Sequence, residues 1–517
     1  MNEQNSLTTP TNGPAAAVAP APVEALIREI EDMPAPEERE EKMASENFDA
    51  DVVVIGAGPG GYVAAIRAAQ LGAKTICVEK EYLGGTCLNW GCVPSKAMIG
   101  GAEALHFVKH DAKKFGVTLP EGEVGLDFEV YSKRRDKIVQ AQRGGIGMLF
   151  KKNGIRHIEG FAKFLDPHTV EVTNKDGQKE TIRAKNFVLA MGSSVVMLKI
   201  PGLEGGREQN VWTSDDAVTA PFIPKKMLVL GGGAFGCEFS FVFNALGTEV
   251  TLVEMMPNLI PVMDTELGVE LGKLMGRQGV KVRTGAGLDR VERNGEGWRC
   301  YVKKGADEEV IDVDVILLGV GRKANIDGMG LEEVGVKLHP RGVQVANDTM
   351  RTHVPHIFAI GDVTGRIQLA HVASHEGIVA VTNAINGGDK MADYKAVPVA
   401  VYTSPEVAAV GLTEEQAKEK GYDVVVGRAK FAIFAKAMAQ ETRDGFVKVV
   451  AERKYGEVLG VHMIGAHVTD LIHEAVVAIK LEATLESMND TIHAHPTMAE
   501  AVLEAFEDAA GHAIHKM

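Results

Sequence analysis

The chain has 517 residues, enough for roughly three or four domains, and its 45% hydrophobic and 24% charged content is ordinary for a globular protein. The formal net charge of -15 argues against a nucleic-acid partner and against binding to an anionic membrane surface. No run of about 18 apolar residues is present, so the sequence predicts no membrane-spanning helix.

The first 47 residues differ in composition from the rest of the chain. They contain the segments TTPTNGPAAAVAPAP and PAPEEREEK, which combine many prolines with few large apolar residues. This composition predicts a flexible, acidic arm. The arm lacks the apolar centre of a secretory signal and is too acidic for a transit peptide, so we expect a cytoplasmic protein.

A dinucleotide-binding unit is predicted directly after the arm. Residues 52–55 are apolar, as in a buried parallel strand, and Gly56, Gly58 and Gly61 follow in the spacing GxGxxG. These glycines permit a tight turn, a close approach of the backbone to a pyrophosphate, and packing of the next helix on the strand. Glu79 ends the second strand 18 residues after Gly61, where a carboxylate accepts a hydrogen bond from a ribose hydroxyl.

Two cysteines follow this unit in the segment GGTCLNWGCVPSK, residues 84–96. The position of Cys87 and Cys92 near the glycine loop favours a disulfide that exchanges electrons. The alternative is a pair of buried cysteines that pack as small apolar groups. A disulfide scaffold is not expected, because a bridge in a reducing compartment is usually catalytic and the chain has only five cysteines: Cys77, Cys87, Cys92, Cys237 and Cys300.

The dinucleotide pattern recurs in residues 225–256. Gly231, Gly233 and Gly236 are followed by Glu254, again 18 residues after the last glycine. One GxGxxG is weak support, but two with strand, helix and acidic residue in register predict two dinucleotide sites. Glu254 has no arginine beside it to pair with a 2′-phosphate, which favours NAD over NADP. The first site is then assigned to a flavin, because a disulfide exchanges electrons with a nicotinamide more readily through one.

Three motifs, in this order, resemble those of one family: GGTCLNWGCVPSK at residues 84–96, THVPHIFAIGD at 352–362 and HAHPTMAE at 493–500. From about residue 48 to its end, the chain resembles the class I flavin-dependent pyridine nucleotide-disulfide oxidoreductases, and within them the dihydrolipoamide dehydrogenases. The resemblance implies an α/β fold with two Rossmann-like dinucleotide-binding domains, for FAD and NAD, and an α+β C-terminal dimerisation domain.

The resemblance also implies domain boundaries and an assembly. We expect the FAD domain at residues 48–195 and 325–396, the NAD domain at 196–324 and the interface domain at 397–517. The assembly would be a homodimer that serves the lipoyl domains and E2 core of a 2-oxoacid dehydrogenase complex, a glycine cleavage complex, or both. We predict no metal site.

The implied chemistry is a relay from a dihydrolipoyl dithiol through the cysteines and FAD to NAD. Cys87 would exchange with the substrate and Cys92 would face the flavin. Residues five apart on an undistorted helix lie about 7.5 Å apart along its axis and on different sides of it. Because a disulfide needs Cα atoms within about 7 Å, this segment must be bent or irregular, which Gly91 favours.

The resemblance assigns the remaining site residues. His495, oriented by Glu500, would accept the substrate's proton at the cysteines of the other subunit. Lys96 would lie near the flavin and pair with Glu238. The FAD contacts would come from Gly56, Gly58, Gly61, Glu79, Gly85, Thr86, Lys96, Ala162, Gly192, Ser193, Asp362, Leu369, Ala370 and His371. The NAD contacts would come from Gly231, Gly233, Gly236, Glu238, Glu254 and Gly321.

Related activities fit less well. Mercuric ion reductases add a C-terminal cysteine pair, whereas this chain ends GHAIHKM. Glutathione-type reductases usually have lysine at the position of Ser95 and arginines for NADP, and a flavin transhydrogenase would lack the cysteine pair. A non-catalytic binding subunit would have lost relay residues that are present here. Trp90 and Met191 depart from the family pattern, as does the segment GAHVTD at residues 465–470.

Overall fold

The computed structural model describes residues 47–119, 122, 124–319 and 321–516. The arm predicted for residues 1–47 therefore lies, except for Asn47, outside the described residues.

The N-terminal segment begins with a strand, a helix and a second strand, as the sequence predicts. Its elements are β1 (Ala50–Ile55), α1 (Pro59–Gln70), β2 (Thr75–Glu79), α2 (Gly85–Asn89), α3 (Cys92–His106), α4 (Phe128–Lys152), β3 (Arg156–Glu159), β4 (Phe161–Asp166), β5 (Thr169–Thr173), β6 (Lys179–Leu189) and β7 (Ser193–Val195). The strands β3, β2, β1 and β6 lie side by side and run parallel. The first half of β6 continues into an antiparallel sheet with β5 and β4.

The middle segment repeats the strand, glycine loop, helix and strand arrangement. Its elements are β8 (Val211–Trp212), α5 (Ser214–Val218), β9 (Lys226–Leu230), α6 (Ala234–Ala245), β10 (Glu249–Glu254), α7 (Thr265–Arg277), β11 (Lys281–Thr284), β12 (Gly287–Asn294), β13 (Gly297–Lys304), β14 (Asp307–Val313), β15 (Val315–Leu318) and β16 (Arg322–Ala324). The order β11-β10-β9-β15-β8 is a parallel sheet, and β12, β13 and β14 are an antiparallel meander.

The chain then returns to the first sheet. Its next elements are β17 (Leu338–His339), β18 (Gly342–Val343), β19 (Ile357–Ala359) and α8 (Ala370–Asn386). The strand β19 pairs in parallel with the second half of β6, and α8 packs along α1. Because β19 and α8 complete the sheet begun by β1, the first dinucleotide-binding unit is built from two separate stretches of sequence.

The C-terminal segment is an antiparallel sheet covered by helices. Its elements are β20 (Val399–Val401), β21 (Glu406–Gly411), α9 (Glu414–Glu419), β22 (Val424–Lys430), α10 (Ala435–Ala439), β23 (Phe446–Glu452), β24 (Val458–Gly465), α11 (Val468–Lys480), α12 (Leu485–Asn489) and α13 (Glu500–Ala509). The strand order is β20-β21-β24-β23-β22, with α11 packed on β21 and β24 and α13 on β22 and β23.

This architecture confirms the predicted fold class, which has two Rossmann-like units and an α+β C-terminal domain. In the parts of the chain that the structure describes, none of the helices combines the length and the apolar character needed to cross a bilayer.

Candidate active site

The two cysteines of the GGTCLNWGCVPSK segment are joined by a disulfide at a break between two helices. The helix α2 ends at Asn89 and α3 begins at Cys92, and the Cα atoms of Cys87 and Cys92 are 4.7 Å apart. A Cβ atom at Gly91 would lie 3.1 Å from the carbonyl oxygen of Thr86 and 3.2 Å from the Cα of Cys87. The absence of a side chain at Gly91 therefore allows the chain to turn back, and the predicted irregularity is present.

Both cysteines line a cavity of about 610 Å³ at the carboxyl ends of β1 and β2. This volume lies within the usual range for small-molecule and cofactor sites. Cys87 is partly buried and Cys92 is exposed. The predicted FAD residues in the cavity wall are Gly56, Gly58, Glu79, Gly85, Thr86, Ala162, Gly192, Ser193, Asp362 and Ala370.

Four predicted FAD residues lie outside this wall. A Cβ at Gly61 would lie 1.9 Å from the carbonyl oxygen of Gly56, so Gly61 lets α1 pack directly beneath the loop. Lys96 lies one helical turn after Cys92 on α3. Leu369 and His371 flank Ala370, and Nε2 of His371 is 3.0 Å from the carbonyl oxygen of Pro398. The cofactor contacts assigned to these four residues, like those assigned to the residues of the wall, stay predictions.

The first glycine loop offers backbone N–H groups to the cavity. The helix α1 starts after Gly58 with no side-chain cap, which leaves its first N–H groups available to an anion. The Glu79 carboxylate accepts hydrogen bonds from the N–H of Ala57 at 2.7 Å and of Glu81 at 2.9 Å, and thereby holds the loop. A helix N-terminus at the wall of this cavity fits the pyrophosphate of FAD.

The second glycine loop has the same construction. Glu254 accepts hydrogen bonds from the N–H of Gly232 at 2.6 Å and of Met256 at 2.7 Å. A Cβ at Gly236 would lie 1.8 Å from the carbonyl oxygen of Gly231, and α6 begins after Gly233 without a side-chain cap. This loop therefore also fits a dinucleotide pyrophosphate. Gly321, also assigned to NAD, lies between β15 and β16, and its carbonyl oxygen accepts a hydrogen bond from the N–H of Val196.

Lys96 and Glu238 form an ion pair between α3 and α6. The Lys96 ammonium donates to both oxygens of the Glu238 carboxylate, at 3.0 and 2.9 Å. The Glu238 side chain is only 6% exposed, whereas that of Lys96 is 33% exposed. A carboxylate buried to this extent requires such a partner.

Arg322 is a cavity residue that the sequence analysis missed. Its guanidinium donates to the hydroxyl of Ser193 at 2.8 Å and to the carbonyl oxygen of Ser193 at 2.7 Å. The Ser193 hydroxyl in turn donates to the Asp362 carboxylate at 2.5 Å. The position of Arg322 directly after Gly321 could have indicated a place near the cofactor. The contacts of Arg322 with Ser193, and of Ser193 with Asp362, join residues that are far apart in sequence.

Trp90, the residue that departs from the family between the cysteines, also lies in the cavity wall. Its ring centroid is 5.8 Å from that of Tyr82, and the Arg143 guanidinium lies 4.0 Å from the Tyr82 ring centroid. Trp90 therefore packs within an aromatic and cationic cluster at the cavity wall.

His495 and Glu500 form a hydrogen-bonded pair at the start of α13. Nδ1 of His495 is 2.8 Å from one Glu500 oxygen, and the other oxygen accepts from the N–H of Thr497 at 2.9 Å. Burial alone would raise the pKa of Glu500, but the hydrogen bonds from His495 and Thr497 hold it below its usual value. The carboxylate therefore stays ionised and orients the imidazole.

The His495 side chain is 73% exposed. Neither His495 nor Glu500 is among the described residues that line the cavity of the same chain. Within one chain, the structure thus brings the cysteines and the first glycine loop together but leaves this pair apart from them.

Comparison with protein families identifies two regions. Residues 50–377 match the family described as pyridine nucleotide-disulphide oxidoreductase. Residues 397–506 match the pyridine nucleotide-disulphide oxidoreductase dimerisation domain. Because the second match is a dimerisation domain, the protein is a homodimer.

A solved structure with the same fold is that of the HOCl-induced flavoprotein disulfide reductase RclA from Escherichia coli. It has a TM-score of 0.78 and 24% sequence identity, and the alignment covers 88% of this chain and 99% of that one. At this identity the likeness concerns the fold alone.

Curated relatives are closer in sequence. The dihydrolipoyl dehydrogenase of Corynebacterium glutamicum is 42% identical over 90% of this chain and 99% of the relative. Those of Mycobacterium leprae and Bacillus subtilis are 41% and 40% identical over the same shares of the two chains. The chain belongs to the pyridine nucleotide-disulphide oxidoreductases, and within them to the dihydrolipoyl dehydrogenase family.

Proposed function

We propose that the protein oxidises dihydrolipoyl groups to the lipoyl disulfide and reduces NAD to NADH. It is an oxidoreductase of a family that uses FAD and NAD. The observation that carries the proposal is the Cys87–Cys92 disulfide in the wall of a cavity that the first glycine loop also lines. A disulfide in this position accepts electrons from a dithiol substrate.

The cysteines act by thiol–disulfide exchange. A substrate thiolate attacks Sγ of Cys87, which forms a mixed disulfide and releases Cys92 as a thiolate. The second substrate thiol then attacks the substrate sulfur of the mixed disulfide, which closes the lipoyl ring and releases Cys87. The substrate is oxidised by two electrons and the cysteine pair is reduced. FAD held by the residues of the cavity wall would supply the two-electron transfer between the cysteines and NAD.

The substrate thiols must lose protons during this exchange. We assign His495 as the acceptor, with the ionised Glu500 bonded to its Nδ1 and the other ring nitrogen left for the proton. Because the pair does not line the cavity of its own chain, His495 of one protomer serves the cysteines of the other in the homodimer. One active site would then require both chains.

The remaining assignments concern the cofactors. Lys96, paired with Glu238, would place a positive charge near the flavin, and Glu254 would select NAD. The proposal also keeps the domain boundaries: an FAD domain at residues 48–195 and 325–396, an NAD domain at 196–324 and an interface domain at 397–517.

The natural substrate would be carried by lipoyl domains of a 2-oxoacid dehydrogenase or glycine cleavage complex in the cytoplasm. Deleting residues 1–47 and comparing binding to an E2 core with activity on free lipoamide tests whether the N-terminal arm contributes to docking. An arm that only solubilises the protein would leave both measurements unchanged.

Substrate comparison tests the activity. The purified protein should oxidise dihydrolipoamide with NAD far faster than it reduces glutathione disulfide or Hg(II) with either NADH or NADPH. Cys87→Ser and Cys92→Ser should each lower lipoamide turnover by at least about 10³-fold, because the exchange needs both sulfurs. The flavin spectrum checks that FAD is retained.

The matched control is Cys300→Ala, which changes a buried cysteine of β13 outside the cavity. It should retain lipoamide turnover. Comparable turnover in either serine variant would overturn the relay.

A further inference from the structure

Tyr402 lies against the ion pair of Lys96 and Glu238. The Lys96 ammonium is 4.2 Å from the centroid of the Tyr402 ring. The backbone N–H of Tyr402 donates to Oε1 of Glu238 at 3.0 Å, the same oxygen that accepts from Lys96 at 3.0 Å. A single residue thus contacts both members of the pair.

The three residues come from three distant parts of the chain. Lys96 is on α3, Glu238 is on α6, and Tyr402 directly follows β20 in the C-terminal segment. The Lys96 ammonium lies over the Tyr402 ring and donates to the Glu238 carboxylate. The ammonium is therefore held both by a negative charge and by the electron-rich face of an aromatic ring.

An ion pair alone holds such a lysine weakly. The Lys96 side chain is 33% exposed, and a lysine has four flexible carbons, so water competes for its ammonium. A ring face adds an attraction of defined direction to a cation within about 6 Å of its centroid. Burial, and then the nearby Glu238 carboxylate, raise the pKa of the Tyr402 phenol, so the ring stays neutral beside the cation.

We propose that Tyr402 is a positioning residue that holds the Lys96 ammonium beside the redox centre. The inference rests on the proposed role of Lys96 near the flavin. A positive charge held at a fixed, partly buried position favours the reduced cofactor, and the same charge released into bulk water is screened. Tyr402 would thus act on the flavin through Lys96.

The midpoint potential of bound FAD provides the test. Tyr402→Leu should lower it by about 30 mV, equivalent to a tenfold change in the equilibrium for a two-electron couple. Tyr402→Phe keeps the ring and the backbone N–H and should restore the native potential. A leucine variant with the native potential would overturn the proposal.

A matched control is Tyr455→Leu. Lys454 lies 4.6 Å from the Tyr455 ring centroid, but this tyrosine is 71% exposed and is not among the described cavity residues. This control should leave the potential unchanged. A shift of the same size as in Tyr402→Leu would show a general effect of losing an aromatic ring and would overturn the proposal.

The variant Lys96→Met distinguishes a failure of the role proposed for Tyr402 from a failure of the role proposed for Lys96 near the flavin. If Lys96→Met leaves the potential unchanged, the role proposed for Lys96 is wrong. If Lys96→Met lowers the potential and Tyr402→Leu does not, only the role of Tyr402 is wrong. In the Lys96→Met background, Tyr402→Leu should add no further shift, and an additive shift would mean that Tyr402 acts independently of Lys96.

Discussion

Glu79 and Glu254 each hold a glycine loop with hydrogen bonds to the backbone. Each carboxylate accepts from one N–H inside its loop and from one N–H just after its own strand. A negative charge is thereby fixed beside the start of each dinucleotide-binding helix. In the proposed NAD site, this charge at the second loop would repel a 2′-phosphate and leave lone pairs for the ribose hydroxyls of NAD.

Changing Glu254 should therefore alter the choice between NAD and NADP. Glu254→Gln combined with Met255→Arg removes the repulsion and adds a cation at an exposed position. The ratio of kcat/KM for NADP to that for NAD should rise by about 10- to 100-fold, or about 1.4 to 2.8 kcal/mol. Steady-state kinetics with NAD and with NADP measure this ratio. A native enzyme that already prefers NADPH would contradict the assignment.

The position of the acidic residue beside each loop can be predicted from the sequence, because the whole strand–loop–helix–strand unit is contiguous in sequence. Strand, glycines, helix and acidic residue all lie within about 30 residues, at a spacing set by βαβ geometry. Arg322, which reaches Ser193 across 129 positions, has no comparable signal. The Lys96–Glu238 pair spans 142 positions and was expected only from the family resemblance.

The helix α8 and the 3-10 turn Gly361–Thr364 act as one element of the cavity wall. Glu376 on α8 is 1% exposed, and its carboxylate accepts from the N–H of Gly361 at 2.6 Å and from the hydroxyl of Tyr394 at 2.7 Å. Burial raises the pKa of Glu376. The carboxyl thus fixes the turn that carries Asp362 into the cavity.

Glu376→Ala should weaken FAD binding. It leaves the buried N–H of Gly361 without its acceptor and frees the turn, at a cost of about 1 to 3 kcal/mol, or about 5- to 150-fold in the dissociation constant. Quenching of flavin fluorescence on adding FAD to the apoprotein measures it. Glu376→Gln retains one acceptor oxygen and should bind FAD more tightly than the alanine variant. Equal affinity in the native and alanine proteins would refute this role.

At the scale of elements, the first strand, helix and strand were predictable because hydrophobic period and glycine spacing are local patterns. The double pairing of β6 was not. Its first half pairs antiparallel with β5 and its second half pairs parallel with β1 and β19. No local pattern in the sequence of β6 indicates this change of pairing. The change depends on β19, which lies more than 160 positions later in the chain.

A charged cluster joins the second dinucleotide unit to the C-terminal sheet. Lys448 on β23 is 1% exposed, and it donates to Asp264 at 2.9 Å and to Glu266 at 2.7 Å at the start of α7. Arg428 on β22 donates to both oxygens of Glu266. Burial alone would lower the pKa of Lys448, but these carboxylates raise it above its usual value.

Glu266 should make the junction sensitive to acid. The hydrogen bond from Arg428, followed by that from Lys448, lowers the pKa of Glu266 from 4.5 to about 2. Its carboxylate binds protons more weakly in the folded than in the unfolded chain, so its contribution is present above about pH 4.5 and is lost as the pH falls towards 2. Because the side chain is 40% exposed, solvent screening reduces this contribution to about 1 kcal/mol.

Urea unfolding of the native protein and of Glu266→Gln tests this contribution. At about pH 6 the variant should be less stable by about 1 kcal/mol. At about pH 3 the difference should shrink, because the Glu266 carboxyl is then mostly protonated in the unfolded chain. Glu419→Gln, at an exposed position of α9, is the matched control and should show no such change with pH. A difference between native and Glu266→Gln that stays constant between the two pH values would mean that the lost stability comes from packing. The charge of Glu266 would then have no part in joining the two units.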